Sequence, residues 1–152
     1  MQLTLRAIGV WVLVIVAEVL HGIARTLLLS PLVGDFRARQ IAVFTGSIII
    51  LALAVTFIRW IRPSDVREAV YVGVLWLVLT LTFEIAFGRL VVGASWDRIA
   101  SDYDLLRGGL LPIGLLVLTA APLLAAKWRG VVVAGEGCPG LRWRRRRPRA
   151  PA

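Results

Sequence analysis

The sequence predicts an all-α protein, a four-helix transmembrane bundle, on three observations. Four apolar runs are each close to the length that spans a bilayer, basic residues gather between and after those runs, and the first and third runs carry polar stripes. Of 152 residues 59% are hydrophobic, and the mean hydropathy is +0.81, so the chain calls for lipid as its solvent. A formal charge of +9 would suit nucleic acid, but the basic residues flank apolar runs instead of covering a soluble face, which argues against a nucleic-acid partner. Cys138 is the single cysteine, which excludes an intramolecular disulfide, and no Cys/His spacing points to a metal.

The first run extends from Ala7 to about Leu29 and the second from Ile41 to Ile58. The third extends from Ala69 to about Val92 and the fourth from Leu110 to Ala126. These spans define a transmembrane domain over residues 1–129, followed by a basic cytoplasmic tail over 130–152. Pro122 lies inside the fourth helix and leaves the Leu118 carbonyl without its donor, so a tolerated kink is expected there. A cleavable signal peptide ending near Gly22-Ile23-Ala24 is the rival reading of the first run; the apolar stretch continues past that site through Leu29, so the segment reads as retained.

Placing the amino terminus, the 59–68 loop and the carboxyl tail on one side gathers twelve basic residues there against six on the other. The expected topology is therefore N-in, C-in, in a bacterial inner membrane. Without the tail the count ties, so Arg142, Arg144 to Arg147 and Arg149 decide it.

Laying the second half on the first, at an offset of about 66 to 68 residues, aligns Glu18 with Glu84, Gly22 with Gly88, Asp35 with Asp102, Phe36 with Tyr103, and Gly46 with Gly114. The pattern predicts a tandem repeat of a two-helix hairpin, related by an axis along the membrane normal.

On the first helix Glu18, Gly22 and Arg25 share one side with His21 beside them, forming a polar stripe that should face the bundle interior. The third helix carries Gly73, Thr80, Glu84 and Gly88 at helical spacing. Arg89 lies about 140° round from Glu84 and is aimed at another partner. On the second helix Gly46 offers a close-packing site, with Thr45 and Ser47 as hydrogen-bonding groups. Glu18, His21, Arg25, Glu84 and Arg89 form a candidate intramembrane polar network, and Gly22, Gly46, Gly73 and Gly88 are candidate packing positions. One reading makes the network structural, fixing helix register by pairing. The other makes it a proton-responsive site in which two glutamates brought together titrate as a pair.

No phosphate loop, serine elbow, zinc-protease helix or CxxC motif occurs, so no catalytic residue, metal or cofactor is expected. An enzyme would have to be built from Glu18, His21, Glu84 and arginines. His21 is the only histidine, which excludes a bis-histidine haem within one chain. Between the third and fourth spans Trp96, Ile99, Ala100, Tyr103 and Leu106 recur at helical spacing, predicting a short interfacial helix. In the tail, Arg142, Trp143, Arg144, Arg145, Arg146 and Arg147 suit the anionic lipids of a cytoplasmic leaflet.

The tripeptide Ala17-Glu18-Val19 in the first span resembles the glutamate-bearing first span of small multidrug transporters, which also have four short spans. The likeness covers that tripeptide and the span count only, and no family is assigned on it. The expected function is a structural or accessory subunit of a membrane complex, or a homo-oligomer, with the bilayer and membrane proteins as partners. The alternative is a proton-coupled small-solute transporter or channel using Glu18 and Glu84.

Overall fold

The computed structural model describes residues 1–131; the basic run, Trp143 and Cys138 lie outside the described residues. Helix α1 (Gln2–Ala24) passes into a widened turn at Arg25–Leu29 and a last turn, α2 (Ser30–Val33). Pro31 accounts for the widening. It has no N–H for the Leu27 carbonyl and its ring crowds that carbonyl, so the turn expands to π geometry and Ser30 N–H reaches Arg25 O. Gly34, at φ 82°, then reverses the chain into α3 (Asp35–Ile61).

Arg62, in the left-handed region at φ 57°, ends α3 by donating its N–H to Ile58 O at 2.9 Å. Asp65 then caps α4 (Val66–Leu90). Its Oδ1 accepts from Glu68 N–H at 2.7 Å, and Glu68 Oε2 accepts from Ser64 N–H at 2.6 Å. A short α5 (Trp96–Tyr103) and a single turn at Leu105–Arg107 lead to α6 (Leu111–Trp128), which continues through buried Pro122. Four helical segments are long and apolar enough to cross a membrane, and no strand occurs among the described residues. The chain is thus a multi-pass, all-helical membrane protein. Its helices overrun the apolar runs of the sequence because helical hydrogen bonding extends past the hydrocarbon into polar residues such as Asp35 and Arg39.

Helices α1 and α4 run one way and α3 and α6 the other. Contact is densest between α3 and α6 and within each hairpin, and sparser between α1 and α4. Lipid is as apolar as leucine, so contact between helices must be held by close packing and hydrogen bonds. Both concentrate in the half that holds Met1, Ile61 and Trp128, here the tail half. Ala7, Val10, Ala54, Ile58, Ala69, Val72, Trp76, Ala121 and Ala125 are fully buried there. Trp76 Nε1 donates to Ala7 O at 2.9 Å, and Trp11 Nε1 to Thr80 Oγ1 at 3.0 Å. Gly73 lets α4 lie against the Thr119 carbonyl of α6, where any Cβ would collide. The opposite half, bounded by the 25–35 and 91–110 loops, is packed differently.

Candidate functional site

In this loop half α1 presents Glu18 and His21, and Arg25 opens the widened turn that follows, at spacings of three and four that put the three on one side. Glu18 Oε2 lies 3.5 Å from His21 Nδ1, and His21 Nε2 lies 2.8 Å from Thr45 Oγ1 of α3. The Thr45 hydroxyl is also in reach of the Ile41 and Ala42 carbonyls at 3.2 and 3.3 Å. Its proton therefore goes to its own helix, and its lone pair accepts from His21 Nε2–H. That leaves Nδ1 facing the Glu18 carboxyl. Gly46 makes room for it: an added Cβ would stand 2.8 Å from Glu18 Oε2. Glu18 Oε1 is buried and has no hydrogen-bond partner.

The facing wall belongs to α4 and α5. Tyr103 donates its hydroxyl to Glu84 Oε2 at 3.3 Å. Burial, with the Glu84 carboxyl beside it, pushes the Tyr103 phenol up to about 12, so it remains a neutral donor across the ordinary pH range. At the loop rim Arg25 Nη1 pairs with Asp35 Oδ1 at 3.2 Å, and Arg39 Nη1 lies 3.5 Å from Asp35 Oδ2 and 3.3 Å from Asp102 Oδ1. Gln40 Nε2 donates to Gly108 O at 3.2 Å. These half-exposed pairs contribute little individually. Together they tie the start of α3 to both loops.

Between the two walls lies a cavity of about 910 Å³. Glu18, His21 and Arg25 reach it from α1, Glu84 from α4, and Tyr103 and Asp102 from α5, while Val14, Ile50, Thr80 and Leu118 form its base. The Trp11–Thr80 bond and the indole of Trp76 close the bundle beneath it.

Four of the five polar residues singled out in the sequence thus converge on one space. Arg89 stands apart: it is exposed, donates to Ala94 O at 2.7 Å and stacks over the Trp96 ring at 4.8 Å. Its angular displacement from Glu84 turns it toward the loop. Among the glycines, Gly22, Gly46 and Gly88 border the cavity, and Gly73 sits in the tail-half seam. Sequence reasoning missed Arg39, Gln40 and the inward role of Tyr103. The available signals were the i,i+4 spacing of Asp35 and Arg39 and the alignment of Asp35 with Asp102, two acids that meet at one arginine. Among the described residues no three His, Cys, Asp or Glu side chains gather as a metal set. The chain matches no known family model, no curated protein and no solved structure.

Proposed function

We propose that this membrane protein binds a small organic molecule inside its loop half and couples that binding to proton exchange at Glu18 and Glu84. The observation that carries the reading is the cavity of about 910 Å³, reached by both glutamates from facing walls. Its volume is that of a site for a drug-sized molecule. Ionisable groups at membrane depth are functional candidates when they face such a space. Glu18 Oε2 and His21 Nδ1, 3.5 Å apart, place a carboxyl and an imidazole together on one wall of that space.

Within this reading the membrane is a bacterial inner membrane, both termini are cytoplasmic and the hollow half faces outward. The two hairpins derive from a tandem duplication. Supporting the duplication, Thr4 meets Tyr71, Ala7 meets Trp76 and Trp11 meets Thr80, pairs 67, 69 and 69 residues apart. An accessory subunit or homo-oligomer has weaker support. Three of the four glycines expected to form helix seams border the cavity instead.

The test uses a Cys138→Ser background carrying Ser47→Cys on the cavity wall. N-ethylmaleimide should alkylate this cysteine, and a lipid-soluble carbodiimide should modify Glu18 or Glu84, more so as the pH falls. A cysteine that stays unreactive in the folded protein, together with unmodified glutamates, would remove the proposal.

A further inference from the structure

The connection over residues 91–110 is fastened to the bundle unequally at its two ends. At the near end backbone and side chain both hold it to α4. Val92 N–H donates to Phe87 O at 3.1 Å, Ala94 N–H to Gly88 O at 2.8 Å, and Arg89 Nη1 to Ala94 O at 2.7 Å, with the Arg89 guanidinium over the Trp96 ring. Gly93, at φ 68°, makes the bend. The far end is joined through side chains: Tyr103 to Glu84 at 3.3 Å, Asp102 to Arg39 at 3.3 Å, and Gln40 to the Gly108 carbonyl at 3.2 Å. Gly109 lets the end of α5 lie against the start of α6, since a Cβ there would collide with the Ser101 and Asp102 carbonyls.

Between these ends α5 is lightly held. No described residue of α5 is fully buried, whereas α1, α3, α4 and α6 each bury several. A helix of eight residues is marginal by itself, because so few turns do not offset its nucleation. Its inner side, with Ile99, Asp102 and Tyr103 at helical spacing, borders the cavity, and Ile99 packs over Gly88. Past α5 the chain doubles back through Leu105–Arg107, with Gly108 N–H on Leu105 O and Gly109 N–H on Asp104 O. Unwinding that coil lengthens the tether to α6. Segments with little buried surface are the ones that open first.

Resting on the reading above, we propose that α5 is a lid on the cavity, hinged on α4 over residues 93–96 and latched at Tyr103 and Asp102, and that its release lets the small molecule in and out. The latch is built from the site itself. Glu84, which Tyr103 holds, is one of the two glutamates facing the space, so a ligand group that takes this carboxyl competes with the hydroxyl for it. Arg39, which holds Asp102, also engages Asp35, so one arginine joins the lid to the start of α3. Partly exposed pairs of this kind are weak singly, which suits a latch that must open.

The test uses the full chain in detergent, in a Cys138→Ser background carrying Gly88→Cys and Ile99→Cys. Ile99 Cγ1 lies 3.7 Å from where a Gly88 Cβ would stand, so copper phenanthroline should bridge the two cysteines and lock the lid. The readout is Glu18, on the facing wall, trapped as an amide by a water-soluble carbodiimide with glycine methyl ester and followed by peptide mass spectrometry. The oxidised protein should react at least tenfold more slowly than the reduced, and reduction should restore the rate. In the unsubstituted protein, amides at 97–103 should exchange hydrogen at least tenfold faster than those at 80–88, and Tyr103→Phe or Gly109→Ala should speed them severalfold further. Equal reaction of the oxidised and reduced states, or exchange in α5 as slow as in α4, would overturn the lid and leave the cavity reading standing. A cysteine pair that resists oxidation would also overturn it, because α5 would then not rest on Gly88. Glu18 that reacts in neither state, nor with a lipid-soluble carbodiimide, would remove both.

Discussion

The tail half and the loop half of the bundle are built from the same four helices and solve opposite problems. In the tail half, alanine, valine and glycine bring backbones together, and two tryptophans spend their indole N–H groups across the α1–α4 gap. In the loop half the same two helices part around a cavity, and side chains that would be costly in lipid line it in pairs. Within a bilayer, where burying apolar surface gains nothing by itself, stability and ligand space are set by the size of the side chains at each level. The fully buried apolar residues gather in the tail half, and the polar pairs join helices and loops in the other.

Substitutions can break that comparison. The largest effect is expected at Trp76→Ala, where an empty volume replaces a fully buried indole and the Ala7 carbonyl loses its donor. The loss should be about 3 kcal/mol, read as reversible unfolding in mixed micelles. Gly73→Ala should follow, at roughly 1–3 kcal/mol, because α4 must move off the Thr119 carbonyl. In the loop half, Glu18→Gln should leave stability within about 1 kcal/mol of the parent, since a partly exposed ion pair contributes little. It should nonetheless abolish carbodiimide labelling at that position. A loss as large as that of Trp76→Ala would erase the distinction between the two halves.

A smaller effect is expected from pH. The Tyr103 phenol titrates above its ordinary value of 10, near 12, so the neutral form is favoured in the fold. The stability it contributes is fully present below pH 10 and is lost as the pH rises through about 12. Ultraviolet titration should show one late-ionising tyrosine that disappears in Tyr103→Phe. The smallest change belongs to Gly22→Ala, where a methyl group meets open space and stability should shift by no more than about 0.5 kcal/mol.

Much of the fold was legible in the sequence because a bilayer imposes one length on every apolar run, and the four runs from Ala7, Ile41, Ala69 and Leu110 each became a membrane-length helix. The short helix at Trp96–Tyr103 was legible from its spacing. Helix ends were not, because hydropathy marks where lipid would stop and hydrogen bonding carries α3 back to Asp35. Glu18, His21, Arg25 and Glu84 were found by the rule that a charge in lipid must face inward. Arg39 and Gln40 escaped because they lie among loop-like polar residues, where no such rule applies. The cavity itself was invisible, since the space enclosed between helices leaves no mark in a single helix's periodicity.

The crossed tryptophan bonds have a mechanical consequence. Because Trp76 grips the α1 backbone at Ala7 and Trp11 grips Thr80 of α4, the two parallel helices cannot slide past one another without breaking both grips. The motion left to them is rotation about that crossing, like the arms of tweezers joined near one end. A small change in angle there becomes a larger separation at Gly22 and Gly88, so the widest excursions of this helix pair fall beside the cavity.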